Sequence, residues 1–492
     1  MTGAAPDGAD ILDTPEAGRR LVLGGAVRVT GFVAGTGLAV LGAALVTRYL
    51  GPEEYGQFQT VLALVTIVQA ITDLGMTALG MREYSQRHGE DRDRFLAALL
   101  GLRLVATAFG LAIAVGVAVL LGYDETMVLG AALMGVGLVF GILQGTLGIP
   151  LAAGLRIGTM TTLDLARQAA LAATYAALVV AGSGVLAFYA ATIPAQFAIF
   201  LITALLVRGV ISLRPSFDVR AWIALIRPAV VFALAVAVGQ LYVYTALILT
   251  ELVTTPFETG LFAASFRVYI IVAAVPGVLV TTAFPLLSRA ARGDPVRLAY
   301  ATQRLFEGTA LLGGAALIGC VLGAEAIIAV VAGSEYDGAI EVLQIQGVAL
   351  ALTFVIATWG FTLLAVHHHR SMIVANAVAM VVSTTTVLVL AAEYGAVGAA
   401  VATVLGELAL AIGYVAALVQ VDRQMRPEFD LVLRAMPALA LGLAVGAVVP
   451  LPAVIATVVG LAVYAAALLL FRAVPDEVLE HVPGPLGARA RE

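Results

Sequence analysis

The sequence predicts an all-α polytopic membrane protein with about fourteen transmembrane helices. Hydrophobic residues make up 61% of the 492 residues and charged residues only 12%, whereas soluble domains carry roughly 25% charged residues. The mean hydropathy is +1.02. The apolar segments are long enough for helices that cross a bilayer. They are too long for the strands of a barrel, which need only about 9–11 alternating residues.

Apolar segments separated by short polar breaks define the predicted spans. Two spans are weakly defined: the ninth, where residues 324–332 fit a separate short helix outside the membrane, and the thirteenth, which is short. The fourteen predicted spans are residues 22–47, 57–80, 95–121, 127–149, 165–182, 185–207, 228–250, 261–286, 305–323, 340–365, 372–391, 396–419, 435–450 and 453–471.

Arginines are concentrated in alternate connections between these spans. The intervening connections are short and acidic, as in GPEEYG, TTPFETG and GSEYDG. The positive-inside rule therefore predicts a multi-pass protein of the cell membrane with both termini and every arginine-rich connection in the cytoplasm. The arginines concerned are Arg82, Arg87, Arg92, Arg94, Arg156, Arg208, Arg214, Arg220, Arg227, Arg289, Arg292, Arg297, Arg304, Arg370, Arg423, Arg426 and Arg434.

The middle connection, residues 208–227, divides the chain into two halves. Its apolar side chains, such as Trp222, alternate with arginines so that an interfacial helix under the membrane fits, and an ordinary basic linker fits as well. The halves resemble each other locally. RYLGPEEYGQF (48–58) and ELVTTPFETGLF (251–262) both place an acidic residue, a glycine and a phenylalanine at the start of a span. Internal repeats of this kind are common in secondary transporters.

The eighth span carries two residues that a simple membrane anchor does not need. Arg267 places a full charge inside the apolar run, and two roles fit it: anion binding, or a structural pair with Glu251 or Glu258. Pro276 is expected to kink the helix and to free a backbone carbonyl. The kink fits a hinge for movement and a static bend equally well.

Five stretches together resemble the oligosaccharide-lipid flippases, the polysaccharide-exporting branch of the multidrug/oligosaccharidyl-lipid/polysaccharide exporter superfamily. They occur in order between residues 48 and 407. They are RYLGPEEYGQF with the following AITDLG and Arg82-Glu83, ETGLFAASFRV with AFPLLSR, VAGSEYDGAIEVLQI, LLAVHHHRSMIVANAV, and EYGAVGAAVATVLGE.

The resemblance implies a MATE-like architecture, with two six-helix lobes around a central cavity and two further C-terminal helices. It also implies alternating access that moves a polyprenyl-pyrophosphate-linked oligosaccharide from the inner to the outer leaflet for surface polysaccharide synthesis. The expected divisions are a cytoplasmic tail (1–20), an N-lobe (21–207), the linker helix (208–227), a C-lobe (228–419), the last two spans (420–472) and a cytoplasmic tail (473–492).

The resemblance also suggests which arginines bind the pyrophosphate. Family members are proposed to use arginines of the first and eighth helices, and Arg28 and Arg267 stand there in this sequence. A guanidinium suits the task because its planar fork forms bidentate hydrogen bonds to phosphate and stays charged. Arg28 is also close enough to the cytoplasmic end to extend its side chain to the headgroups. Arg48 is a third candidate, with interfacial anchoring as its alternative.

Ion coupling requires a titratable acid in the cavity, and three are available: Asp73, Glu307 and Glu407. Of these, Asp73 is favoured for a structural role, because it can pair with Arg103 of the third span. The sequence does not rank the other two.

The expected activity is transport and not enzymatic catalysis. The sequence contains no phosphate-binding loop, no convincing nucleophile–base pair and no metal-ligand cluster, so we expect no cofactor. The adjacent histidines at 367–369 cannot share one helical face and are assigned to a solvated turn. Expected partners are the lipid-linked oligosaccharide and membrane lipids, with a polysaccharide polymerase and glycosyltransferases as further candidates; no nucleic-acid partner is expected.

Three alternatives within the superfamily or close to it stay open. The chain fits a lipid II flippase for the peptidoglycan precursor. A multidrug extruder is a weaker fit, because a cavity arginine repels the cationic drugs that such proteins bind. A transport-dead scaffold also fits. A membrane glycosyltransferase is disfavoured, since no predicted outer connection exceeds roughly a dozen residues, which is too short for the catalytic loop of such enzymes.

Overall fold

The structure is a computed structural model, and its described residues are 15–73, 76–154, 156–209, 214–227, 230–448 and 450–474. Within these ranges all regular structure is helical. Most of the predicted tails, 1–20 and 473–492, lies outside the described residues. The helices are α1 (Pro15–Asp73), α2 (Met76–Gln86), α3 (Gly89–Leu120), α4 (Glu125–Leu147), α5 (Ile149–Ala153), α6 (Ile157–Val180), α7 (Val185–Ala190), α8 (Thr192–Val207), α9 (Val219–Ile226), α10 (Val230–Val253), α11 (Pro256–Ala290), α12 (Pro295–Leu322), α13 (Ala324–Val331), α14 (Ala339–Ala365), α15 (His369–Thr386), α16 (Ala392–Val421), α17 (Asp430–Val448) and α18 (Ala453–Leu470).

The described residues contain 12 helical segments that are long and apolar enough to cross a membrane. Two of them are long enough for two crossings. Val33–Asp73 has 41 residues and turns at Gly51, whose φ of 71° is a glycine conformation; His369–Val421 has 53 residues and turns at Gly395, with φ 57°. At about 1.5 Å per residue, each of these two segments is longer than about 60 Å, which is twice the thickness of the ~30 Å hydrocarbon core. The predicted all-α membrane fold with about fourteen crossings is thereby confirmed.

Helix α13 settles the weakly defined ninth span. The membrane helix α12 ends at Leu322, and Ala324–Val331 forms the separate short helix that was the alternative for this region. The turn between them is Gly323, whose added Cβ would lie 2.5 Å from the carbonyl oxygen of Gly319.

The two halves of the chain meet at one end of the bundle, which we call the acidic end because GPEEYG, TTPFETG and GSEYDG lie there. Helix α1 contacts α11 through two glycines. A Cβ on Gly56 would lie 2.7 Å from the Pro256 carbonyl oxygen, and a Cβ on Gly260 would overlap the carbonyl of Pro52. Only glycine permits this close backbone approach.

Two further contacts join the halves at the acidic end. The Tyr336 hydroxyl donates to the Thr47 carbonyl oxygen at 2.9 Å, although the residues are 289 positions apart. The Arg48 guanidinium donates to the Ala329 and Val330 carbonyl oxygens at 2.6 and 2.7 Å. It therefore caps the C-terminal end of α13, where unpaired carbonyls carry partial negative charge.

Toward the opposite, arginine-rich end, α11 becomes progressively exposed. Every residue from Thr259 to Phe266 is buried. Exposure increases along the face that carries Arg267: Ile271 is half-buried, and the next residues on this face are exposed, namely Ala274, Val278 and Thr282. The halves thus close over this face at the acidic end and leave it open toward the arginine-rich end.

Helix α9, in the middle connection, packs against the start of α3. Asp218 caps it by accepting from the Arg220 backbone N–H at 2.9 Å, and the Ser216 N–H donates to the Ala97 carbonyl oxygen at 2.8 Å. Leu225 is buried, whereas Ile223 on the other side is 59% exposed. An exposed apolar face next to arginines has the composition of an interfacial helix.

Candidate functional site

Arg267 occupies the protected end of the open face. It lies eleven residues into α11 and seven residues beyond Gly260, or about 17 Å and 10 Å along the helix axis. Its side chain is half-buried. Among the described residues it has no ion pair and no hydrogen bond, and its Nε is buried without a partner. We call the space that it faces, below the Gly56–Gly260 contact, the central cleft.

The two acids considered as partners for Arg267 make other contacts. Glu258 Oε2 accepts from the Ala396 N–H at 2.8 Å and so caps the helix that restarts after Gly395. Glu251 lies beside Thr259, and its Oε2 is buried without a hydrogen-bond partner. Neither carboxylate is paired with Arg267 among the described residues.

Three tyrosines lie within electrostatic range of Arg267. Electrostatic interactions link its guanidinium to the hydroxyls of Tyr55, Tyr175 and Tyr244. These residues lie on α1, α6 and α10, so both halves of the chain contribute to the surroundings of Arg267; Tyr55 and Tyr175 are themselves buried. The sequence does not single them out, because a tyrosine within an apolar span carries no sign of which neighbour its hydroxyl group will meet.

This arrangement suits an anion. A charge within a membrane span costs about 3 kcal/mol or more, and an arginine without a partner bears that cost in the free protein. An anionic group entering the cleft would pair with the guanidinium through charge-assisted hydrogen bonds. An unpaired guanidinium at this place is chemically suited to an anionic ligand.

The other two candidate arginines are placed differently. Arg48 binds the C-terminal carbonyls of α13 at the acidic end, as described above, so its donors are engaged in the contact between the halves. Arg28 falls within the helical range of α1, but its side chain lies outside the described part of the structure.

Asp73 forms the expected pair with Arg103. The Arg103 guanidinium donates to Asp73 Oδ1 at 2.5 Å and to the hydroxyls of Thr77 and Thr146 at 2.7 and 2.9 Å. Arg103 is only 1% exposed. A buried guanidinium with an acid and two hydroxyls around it links α1, α2, α3 and α4 to one another.

Glu307 and Glu407 differ in their neighbours. The Arg304 guanidinium donates to Glu307 Oε2 at 2.6 Å, and the Gln303 amide donates to Oε1 at 2.9 Å. Glu407 is buried on α16 and accepts hydrogen bonds from three hydroxyls: Tyr242 at 2.9 Å, Tyr269 at 3.2 Å and Thr353 at 3.2 Å. Within the described residues, Glu407 has no cationic partner, and it is the only one of the three candidate acids in that position.

Pro276 is buried and lies inside α11, which continues through it to Ala290. Because proline has no N–H, the carbonyl of Val272 lacks its helical partner. The residue marks the depth at which α11 changes from mostly buried to mostly exposed. Its role as a hinge stays a prediction. The described residues contain no group of three or more metal-ligating side chains.

Comparison with known proteins identifies a family and a fold. A family model described as "Polysaccharide biosynthesis protein" matches residues 21–291, which is more than half of the chain. By sequence, no curated protein matches the chain. Several solved structures share its fold.

A lipid II flippase, MurJ, in an inward closed conformation aligns with a TM-score of 0.74 at 13% sequence identity, covering 92% of this chain and 99% of that one. A MATE-family multidrug resistance transporter of the MOP superfamily, in an inward-facing conformation, aligns with a TM-score of 0.66 at 14% identity over 79% of this chain and 95% of that one. A MOP superfamily transporter from Pyrococcus furiosus, whose binding pocket is described as having reverse polarity, aligns with a TM-score of 0.56 at 15% identity over 80% and 96%.

Proposed function

The chain belongs to the polysaccharide biosynthesis protein family, and on that basis we propose that it is a flippase for a polyprenyl-pyrophosphate-linked oligosaccharide. It moves this substrate from the inner to the outer leaflet by alternating access, and it makes or breaks no bond. The observation that carries the proposal is the unpaired Arg267 in a cleft to which both halves contribute.

The physics of the task explains why such a cleft is needed. The head of the substrate carries two phosphates and many hydroxyls, and each polar group without a partner in hydrocarbon costs several kcal/mol. A protected cleft replaces this loss with hydrogen bonds and charge pairing. Arg267 supplies the positive charge for the pyrophosphate, and Arg28 of the first span is the second proposed contact.

Alternating access requires a contact that can open. We propose that the N-lobe (21–207) and the C-lobe (228–419) rock against each other and separate at Gly56 and Gly260. In the present state the cleft is closed at the acidic end. By the positive-inside rule this end faces the cell exterior and both termini face the cytoplasm, so substrate enters from the inner leaflet.

Ion coupling, if transport uses it, is best assigned to Glu407. Asp73 and Glu307 are already neutralised by arginines, whereas Glu407 is held by hydroxyls alone. A carboxyl with hydroxyl neighbours can gain or lose a proton without breaking an ion pair. It also joins α10, α11, α14 and α16, so its charge state affects the packing of the second half.

A lipid II flippase is the second candidate, and the fold similarity to MurJ favours it. Its substrate offers the same polyprenyl-pyrophosphate to Arg267, so this site does not discriminate between the two. A multidrug extruder is disfavoured, because a cleft that presents an unpaired guanidinium repels cations. A polymerase and glycosyltransferases are proposed as functional partners for surface polysaccharide synthesis.

Deleting the gene and identifying by mass the lipid-linked species that accumulate tests the proposal. Accumulation of an undecaprenyl-pyrophosphate oligosaccharide other than lipid II supports it. Accumulation of lipid II alone favours the second candidate. If no lipid-linked saccharide accumulates while surface polysaccharide stays normal, the flippase function is refuted.

A further inference from the structure

A second cationic cavity lies at the arginine-rich end of the first half, away from the central cleft. Its volume is about 380 Å³, within the range of about 300–1,000 Å³ that is common for small-molecule sites. Three segments enclose it: the connection between α2 and α3, the region of α5 and the start of α6, and the last residues of α8. We call it the basic pocket.

The lining of the basic pocket is cationic. It includes Arg87, His88, Arg92 and Arg156, and none of the described residues that line it is acidic. Arg87 is already paired with Glu83 at 2.9 Å. Within the described part of the chain, Arg92 and Arg156 have no ion pair. Two guanidiniums that share one cavity repel each other, and an anion between them removes that repulsion.

Aromatic contacts hold two guanidiniums of the basic pocket, those of Arg92 and Arg87, in position. The Arg92 guanidinium carbon lies 5.0 Å from the centre of the Tyr84 ring, and that of Arg87 lies 4.7 Å from the centre of the Phe95 ring. The Nε of Arg92 is buried and has no hydrogen-bond partner. A stacked guanidinium keeps its N–H edge free for an anion and loses little side-chain entropy on binding.

The second half has a cavity of about 560 Å³ at the corresponding place, between α11 and α12, between α14 and α15, and at the end of α16. Its lining is mixed, because Asp294 and Asp422 accompany Arg292 and two histidines. Both aspartates cap helices, accepting from the backbone N–H of Arg297 and of Gln424 at 2.9 Å. Each half thus has a cavity at this place, and only the cavity of the first half is strongly basic.

We propose that the basic pocket binds the phosphate group of an anionic membrane phospholipid. The pocket lies at the ends of α2, α5 and α8, and membrane-spanning helices end where the headgroups begin. Apolar side chains also line it, among them Leu151 and Leu206, and Leu206 is 47% exposed. A cationic cluster beside an apolar wall matches a phosphodiester that continues into an acyl glycerol, whereas a free phosphate has no use for that wall.

The test measures lipid binding to the full-length protein in detergent by native mass spectrometry. The probes are dioctanoyl phosphatidylglycerol, dioctanoyl phosphatidylcholine and inorganic phosphate. We expect one phosphatidylglycerol to bind specifically. The double variant Arg92→Gln, Arg156→Gln should weaken its affinity at least roughly tenfold, because hydrogen bonds to charged groups are lost. Arg292→Gln, in the corresponding cavity of the second half, is the matched control and should bind as wild type does.

Several outcomes would overturn the proposal. These are unchanged phosphatidylglycerol binding by the double variant, an equal loss in Arg292→Gln, or equal binding of phosphatidylcholine. Inorganic phosphate that binds as tightly as phosphatidylglycerol would replace the lipid with a free anion. Arg92→Lys keeps the charge and should retain most of the binding, so a folding defect in the double variant is separable from the loss of the site. None of these readouts involves transport.

Discussion

Replacing Gly260 by alanine should drive α1 and α11 apart at the acidic end. The added Cβ would overlap the backbone carbonyl of Pro52, and a backbone atom cannot rotate out of the way as a side chain can. Inserting a methyl group into a well-packed contact costs about 1–3 kcal/mol. If the separated state is free of this clash, the equilibrium shifts toward it by a factor of roughly 5 to 160.

The shift can be measured as a distance distribution between two spin labels. Glu53 and Phe257 are exposed at the acidic end, one on each side of the contact, so a labelled cysteine at either position should leave the packing undisturbed. The native Cys320 is buried and does not compete for the label. In Gly260→Ala, the population at long distance should increase relative to the otherwise native protein.

Gly277→Ala is the control, because it lies on the same helix and its added Cβ meets nothing within 4 Å. It should leave the distances unchanged and, by the helix propensity of alanine, slightly raise stability. Equal distance distributions for Gly260→Ala and Gly277→Ala would refute the account of the close contact between α1 and α11.

Three more predictions concern charged side chains. Arg48→Ala removes two hydrogen bonds at an exposed site, so it should favour the separated state by about 1 kcal/mol, roughly fivefold, in the same spin-label measurement. Arg103→Ala leaves the Asp73 carboxylate without its buried partner, so in thermal unfolding it should lower the free energy of unfolding by about 3–5 kcal/mol. Arg94→Ala removes an exposed pair and should change the free energy of unfolding by less than about 0.5 kcal/mol. Glu407→Gln keeps its hydroxyl neighbours and should abolish the pH-gradient dependence of transport in vesicles while Glu307→Gln preserves it; equal effects of the two would contradict the assignment.

The membrane fold could be predicted because it depends on composition and periodicity. Long apolar runs determine where helices cross, and alternation of arginine indicates orientation. The helix ends were less predictable. At Gly51 and Gly395 the backbone leaves the helical conformation, so α1 and α16 each contain two helices that join directly at a kink, where the sequence predicts a polar connection.

Contacts at the site could be predicted only where two side chains of opposite charge lie near the same end of adjacent spans. The pairing of Asp73 with Arg103 followed from opposite charges near the same end of adjacent spans. Arg48 and α13 are 281 positions apart in the sequence, and the acceptors are backbone carbonyls that no side-chain pattern reveals. The tyrosines near Arg267 could not be predicted for a similar reason. They belong to three separate helices, and the sequence does not show how these helices pack against one another.

The most direct test of the central claim compares Arg267→Glu with Arg267→Lys in cells. The measured quantities are the amount of variant protein in the membrane and the distribution of the lipid-linked saccharide between the two leaflets. The account predicts that Arg267→Glu reaches the membrane at the normal level but confines the saccharide to the inner leaflet, because a carboxylate repels the pyrophosphate. Arg267→Lys keeps a charge without the bidentate geometry and should retain partial transport. Normal surface polysaccharide in cells with Arg267→Glu would contradict the account.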